Sequence, residues 1–357
     1  MITQNSSKSK NIILFTIAID SRDLILAQNL DWVRGMAGIF KEVHVFALRL
    51  EGNIVLPKNV HLFCIGGQSR LLKALQAIRT YGKLRDVLRH SDAIVLYHMM
   101  TWPILLFGMY FKIRHCKQGV WYSHNYADFS LRSTQFLVDK YFSPTIKTFP
   151  LFNKSKLVTT GHSINFTDFP RYKEKLGNWQ LNDIYYIGRI APVKRLELLI
   201  EALSEISYNR RIAVTFKIVG PTQDSSYLRT LFEKATDAGI QMSVMDPLRR
   251  AQLIPFLKNV KFAFSGTPAS VDKSILEACG SGAIPITDNS EVLELTGMHL
   301  VWKEFTFSQP PSIQQQIDFL IGSNPRTLLR ISAQVQESTR LQNDFEKTLR
   351  RVKKELS

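Results

Sequence analysis

The chain has 357 residues, too many for one core of ordinary size and comfortable for two domains. Hydrophobic residues make up 45% and charged residues 21%, which excludes a disordered, collagenous or solenoid-like polymer. Lys and Arg outnumber Asp and Glu by 46 to 30, a formal net charge of +16, which favours anionic partners: nucleic acid, phosphorylated small molecules or an acidic membrane surface.

Residues 1–10 are polar and run into the apolar stretch 12–17, shorter than a secretory leader and without a small-residue cleavage site. The apolar run from Pro103 to Phe111 is closed by Lys112 and falls short of the roughly 18 residues a membrane span needs. It reads as core or at most interfacial. Cys64, Cys116 and Cys279 are far apart and lack CxxC spacing, so buried free thiols in a reducing compartment are expected. The expected location is the cytoplasm, with a peripheral position at the inner face of the membrane left open.

Short β-branched runs at 12–17, 43–48, 93–97, 119–122, 157–159, 184–187, 214–219, 262–264 and 283–287 predict strands. Helix-period stretches at 26–40, 69–89, 195–206, 227–238 and 273–280 lie between them. Strand-helix alternation of this kind predicts parallel doubly wound sheets, and there are too many strands for one sheet of usual size. Two such domains follow, meeting near the polar, turn-rich stretch 161–175. The final stretch, 328–356, predicts one long helix with apolar residues at Leu341, Phe345, Leu349, Val352 and Leu356, lying across a surface.

Most of the cationic excess falls in residues 1–170, and the helix at 69–90 carries Arg70, Lys73, Arg79, Lys83, Arg85 and Arg89 against Asp86. It can lie on an anionic bilayer, or cover the sheet with a merely solvated outer face.

Two stretches of the second half carry the chemistry. From Tyr185 to Leu203 an apolar strand stops at Gly188, and a loop delivers Arg189 and Lys194 before an amphipathic helix. Ligands of open parallel sheets bind beyond the strands' carboxyl ends, where these cations suit a diphosphate and equally suit a solvated turn. From Phe264 to Ile286 the pattern is strand, polar loop, short helix, Gly turn and strand. Its loop, with Ser270 as candidate N-cap, lies at a helix N-terminus that favours an anion. Glu277, alone among apolar neighbours, needs a partner: a ribose diol or a structural salt bridge.

Together these stretches, with Ile218-Val219-Gly220-Pro221 between them, resemble the second domain of retaining glycosyltransferases of the GT-B fold, family 4. That family has a Gly-Arg-(x)n-Lys-Gly segment before a Leu-Ile-Glu-Ala-Leu helix, then an Ile-Val-Gly strand end. A Leu-Glu-Ala-x-x-x-Gly-x-Pro-Ile element follows, matched by Leu276-Glu277-Ala278 and Gly282 to Ile286. The resemblance implies two Rossmann-like parallel-sheet domains facing across a cleft: an acceptor domain at 1–165, a nucleotide-sugar domain at 166–327, and a helix at 328–357 packing back on the first.

It also implies transfer of a sugar from a nucleotide-diphosphate sugar to a glycan or lipid-linked acceptor. Retention, no obligatory metal and no cofactor beyond the donor as co-substrate are implied with it, as is a place in cell-surface polysaccharide or glycoconjugate synthesis. Arg189 and Lys194 would hold the diphosphate and stabilise it as leaving group. Gly188, Ser270, Val271, Asp272 and Lys273 would line the donor, and Glu277 would bind the ribose. Where the motif often has a further Glu, this chain has Ala269.

The first half is similar more loosely. His98 and the Ser123-His124-Asn125 run follow predicted strands; His124 matches a histidine placed near the reacting sugar, with His98 and Asn125 as further sugar or acceptor contacts. No GxGxxG follows the first strand, which removes the main support for a dehydrogenase. Two alternatives stand beside transfer: a nucleotide-sugar-binding protein of this fold without activity, and a nucleic-acid binder. The second has charge alone in its favour, so nucleic acid is not an expected partner.

Overall fold

In the computed structural model, residues 10–20, 26, 28–52, 54–67, 70–89, 92–124, 126–151, 153–175, 178–210, 214–268 and 270–357 are described, with backbone alone at 70–74 and 207–210. They form two units, Met1–Ser163 with Phe345–Ser357, and Ile164–Asp344. The first opens with β1 (Asn11–Asp20), α1 (Asn29–Ile39), β2 (Val43–Glu51), β3 (Val60–Cys64) and α2 (Arg70–Arg89). There follow β4 (Ala93–His98), α3 (Pro103–Ile113), β5 (Gln118–Trp121), α4 (Phe129–Ser133), β6 (Lys140–Ser143) and β7 (Leu157–Thr159). The seven strands are parallel in the order β3-β2-β1-β4-β5-β6-β7.

A parallel strand with helices on both faces is buried on both, so it reads as an unbroken apolar run. In β1 the two-residue period sends Ile12 and Leu14 to one face with Val33 and Met36 of α1. Ile13 and Phe15 go to the other, with Ile104, Phe107 and Phe111 of α3. The run 103–111 is thus a core helix on one side, with Pro103 in its first turn. Among the described residues no helix is long and apolar enough to cross a membrane.

The second unit contains β8 (Asp183–Ile187), α5 (Glu197–Arg210), β9 (Thr215–Val219), α6 (Ser225–Asp237), β10 (Met242–Met245), α7 (Arg250–Phe256) and β11 (Phe262–Ser265). It continues with α8 (Lys273–Gly280), β12 (Ile284–Thr287), α9 (Ser290–Leu295), α10 (Met298–Glu304), α11 (Ile313–Gly322) and α12 (Pro325–Gln342). Its five parallel strands run β10-β9-β8-β11-β12. All nine expected strands are present. Three further ones, β3, β6 and β10, are short, and β3 and β10 are half-exposed edge strands without an apolar run to mark them.

The single helix expected over 328–356 is corrected to two, α12 and α13 (Phe345–Leu356). Asn343 ends α12: its side chain donates to the Thr339 carbonyl at 2.9 Å, and its own carbonyl accepts from the Ile164 amide at 2.8 Å. Leu341, counted with the apolar row, is 63% exposed. Phe345, Leu349, Val352 and Leu356 of α13 return to the first unit's core. Gly35 of α1 permits that approach, since a Cβ there would lie 2.4 Å from Leu349 Cδ1. Burying four such side chains stabilises by roughly 6–12 kcal/mol as an upper bound.

All three cysteines are free, but the expectation of burial fails for Cys64, which is exposed on the edge strand β3. Lys175 is the opposite case, a charged residue buried in the second unit. Its Nζ donates to the carbonyls of Leu257 and Val260 at 2.6 and 2.5 Å, and burial pulls its pKa down to about 7. An unfolded lysine titrates near its ordinary 10.5. Between these values the unfolded chain binds more protons, so stability should rise with pH from about 7 to 10.5, by up to ~1.4 kcal/mol per unit. Denaturant titrations across that window check this; Lys175→Met should flatten the rise, and an equal rise in the variant would refute the assignment.

Candidate functional site

The carboxyl end of β8, central in the second sheet, is built on glycine. Gly220, after β9, has φ +152°, and a Cβ there would lie 2.0 Å from the Gly188 carbonyl oxygen. The two strand ends can touch only because Gly220 carries no side chain, while a Cβ at Gly188 would lie 2.7 Å from the Tyr186 hydroxyl. The loop then turns through a 3-10 turn, Pro192–Lys194, into Arg195, which holds a left-handed φ of 49°. That conformation explains why the resembled motif has Gly after its Lys. Gly266 lies against this turn, since its Cβ would stand 2.6 Å from the Lys194 carbonyl oxygen.

Lys194 is buried, with its Nζ 2.5 Å from Asp272 Oδ1. Thr267 Oγ1 donates to the other carboxylate oxygen at 2.9 Å. Asp272, and not Ser270 as expected, holds the N-cap position, because α8 starts at Lys273; its carboxylate goes to Lys194 and Thr267 instead of the helix amides. Ser270 contributes its carbonyl, which with that of Thr267 accepts from Asn289 Nδ2. Ser274 donates to the Ile187 carbonyl at 2.5 Å, tying α8 to the end of β8. Val271 is buried in the second unit's core.

Glu277 is 8% exposed, and its Oε1 lies 3.3 Å from Arg250 and 3.9 Å from Lys273. The salt bridge weighed for it is therefore present. Arg250 escaped sequence reasoning. It opens α7, stacks 5.2 Å from the Phe169 ring centroid and reaches the Asn165 carbonyl. The available signal was the Arg249-Arg250 pair after the Asp246-Pro247 turn. Arg189 is exposed and donates to Gln223 Oε1 at 3.2 Å, while its carbonyl accepts from the Tyr186 hydroxyl at 2.9 Å. Arg189, Lys194, Arg195, Arg250 and Lys273 gather at these strand ends, Lys194 paired with Asp272, Arg195 with Asp288, and Arg250 and Lys273 with Glu277. The arrangement is cationic, partly dry and adjoins a helix N-terminus, which suits a diphosphate.

In the first unit His98 is 4% exposed and packed between indoles, with ring centroids 4.6 Å from Trp32 and 5.1 Å from Trp121. It is the last residue of β4, and it is enclosed there. His124 stands between Tyr122 and Tyr126 at 5.3 and 5.6 Å, and burial holds its imidazole below the ordinary value against the opposing pull of Asp128. At neutral pH it is an uncharged donor and acceptor. Asn125 and Ala269 lie outside the described residues.

The sequence matches no family model and no curated protein. Among solved structures, a glycosyltransferase from Rickettsia africae ESF-5 superposes with a TM-score of 0.71 at 12% identity, covering 98% of each chain. Anabaena Alr3699/HepE, solved in complex with UDP and glucose, gives 0.65 at 10% identity over 97% of this chain and 98% of its own. A TarM mutant from S. aureus, in complex with Fondaparinux, alpha-GlcNAc-glycerol and UDP, gives 0.64 at 10% over 98% and 100%. These likenesses establish the fold: the chain is built from two Rossmann-like parallel-sheet units, as the GT-B glycosyltransferases are.

Proposed function

We propose that the chain is a glycosyltransferase that moves a sugar from a nucleotide-diphosphate donor to a glycan or lipid-linked acceptor, with retention at the anomeric carbon. The observation that supports this most is Lys194, buried yet cationic, held by Asp272 beside the N-terminus of α8. An ammonium has three donors, and Asp272 engages one, leaving others for phosphate oxygens. Arg189 would supply a planar fork from the solvent side. As the glycosidic bond breaks, negative charge grows on the departing diphosphate, and both cations act on it without a rearrangement of solvent. The two would thereby supply the neutralisation that a divalent ion provides elsewhere.

Glu277 directs Oε1 to Arg250 and Lys273, so Oε2 is the oxygen for a ribose diol. His124, uncharged, would hydrogen-bond the transferred sugar or the acceptor. Ala269 motivates a second reading, donor binding without transfer. A thermal-shift series with nucleotide-diphosphate sugars, paired with donor-hydrolysis and transfer assays, separates the two. A donor at about 100 times its Kd adds ~2.7 kcal/mol, roughly 5–10 °C for a unit of this size. Binding with neither hydrolysis nor transfer would favour the second reading, and no binding by any donor would sink both.

A further inference from the structure

Three helices that open on Asp or Asn use that side chain as a cap. Asp128 accepts from the Leu131 amide of α4, Asp224 from the Ser226 and Tyr227 amides of α6, and Asn289 from the Glu291 and Val292 amides of α9. An oxygen in that place satisfies amides that the first turn leaves free. Asp272 holds the same position on α8 and makes no such bond. One of its oxygens faces Lys194 Nζ at 2.5 Å, and the other accepts from Thr267 Oγ1 at 2.9 Å. Asp128 also accepts from a threonine, Thr101 Oγ1 at 2.6 Å, yet it keeps its second oxygen on the helix.

Two arrangements are therefore open to the Asp272 carboxylate: on the α8 amides, or on Lys194. Its position in the chain favours the first. Thr267 holds it in the second. This threonine is 3% exposed, and a β-branched side chain has few rotamers to choose from. Its carbonyl accepts from Asn289 Nδ2 at 2.7 Å, and the same nitrogen donates to the Ser270 carbonyl at 3.1 Å. Thr287 Oγ1 donates to the Ser265 carbonyl at 2.7 Å, so the backbone on both sides of Thr267 is tied to the turn between β12 and α9. Asn289 in turn is fixed by the cap it makes on α9. A lysine is a point charge on a flexible stem, so its ammonium stands where its partners hold it.

We propose that Thr267 is a positioning residue for Lys194: its hydroxyl keeps the Asp272 carboxylate off the helix amides and on the ammonium. Loss of that hydroxyl lets the carboxylate turn to cap α8 and leaves the ammonium to swing with its stem. The consequence for turnover rests on the transfer reading; the placement of the carboxylate does not.

The test uses the full chain with UDP-glucose, UDP-GlcNAc and GDP-mannose as donor probes. Thr267→Val should lower kcat/KM about tenfold, through kcat with KM nearly unchanged. Its melting temperature should stay within about 3 °C of wild type, because Asp272 gains the helix amides. A threonine that merely supports the fold does not give this split. Thr267→Ser, which keeps the hydroxyl, should restore turnover, and Thr267→Val should add no further loss to Lys194→Ala. A crystal structure of Thr267→Val should show the Asp272 carboxylate on the Ser274 or Ile275 amide. Wild-type kcat/KM, a melting temperature far below wild type, or a carboxylate still on Lys194 would each overturn the proposal. The crystal structure decides the placement even where no donor binds. Wild-type turnover in Lys194→Ala removes the diphosphate reading and leaves the placement standing; an impaired Lys194→Ala beside an unimpaired Thr267→Val removes this role alone.

Discussion

Lys194→Ala should lower kcat/KM for donor turnover by about 10²–10³, the loss expected when one preorganised donor to a developing anion is removed, about 2.7–4 kcal/mol. The fold should survive. Asp272 keeps its bond from Thr267 and is 23% exposed, so the deserted carboxylate should cost about 1–2 kcal/mol, less than a fully buried one. Lys194→Ala combined with Asp272→Asn should recover that stability without recovering turnover. Such a split separates a charge acting on the leaving group from a charge that merely completes an ion pair. Wild-type kcat/KM in Lys194→Ala would end the diphosphate role.

Gly220→Ala should destabilise the second unit by about 2–6 kcal/mol, the sum of an unfavourable backbone conformation and an overpacked contact. The new methyl would fall 2.0 Å from the Gly188 carbonyl oxygen, which belongs to the backbone and cannot rotate away. The melting temperature should drop by roughly 5–20 °C and donor binding with it. Gly239→Ala is the control. It has φ +66° but no atom within 4 Å of its Cβ, so it should cost only the ~1–2 kcal/mol of a left-handed alanine. Equal melting of the two variants would show that the glycine pair does not hold the strand ends together.

The alternation of strands and helices was legible because buried parallel strands such as β1 and β4 are unbroken apolar runs. The break between α12 and α13 was not. Leu341, Phe345 and Leu349 keep helical spacing through it, and the interruption comes from bonds Asn343 makes with distant backbone, including the Leu295 and Ile164 groups. At the candidate site, Lys194 and Asp272 each stood out from their local pattern. Their pairing spans 78 positions and has no local signature. Arg250 follows a short edge strand and reaches Glu277 across 27 positions, for the same reason. The enclosure of His98 by Trp32 and Trp121 had no local signal either, since the two indoles come from α1 and β5.

The return of α13 to the first unit has a consequence for biosynthesis. Phe345, Leu349, Val352 and Leu356 are translated after the whole of 164–344, yet they complete the core begun by Ile12 and Leu14. At about 5–20 residues per second, the nascent first unit waits roughly ten to thirty-five seconds with the flank of α1 around Trp32 and Met36 uncovered. The intervening unit, contiguous in the chain, can finish folding during that delay. The later-translated unit is therefore expected to mature first, and the earlier one is the natural client for a chaperone that shields apolar surface.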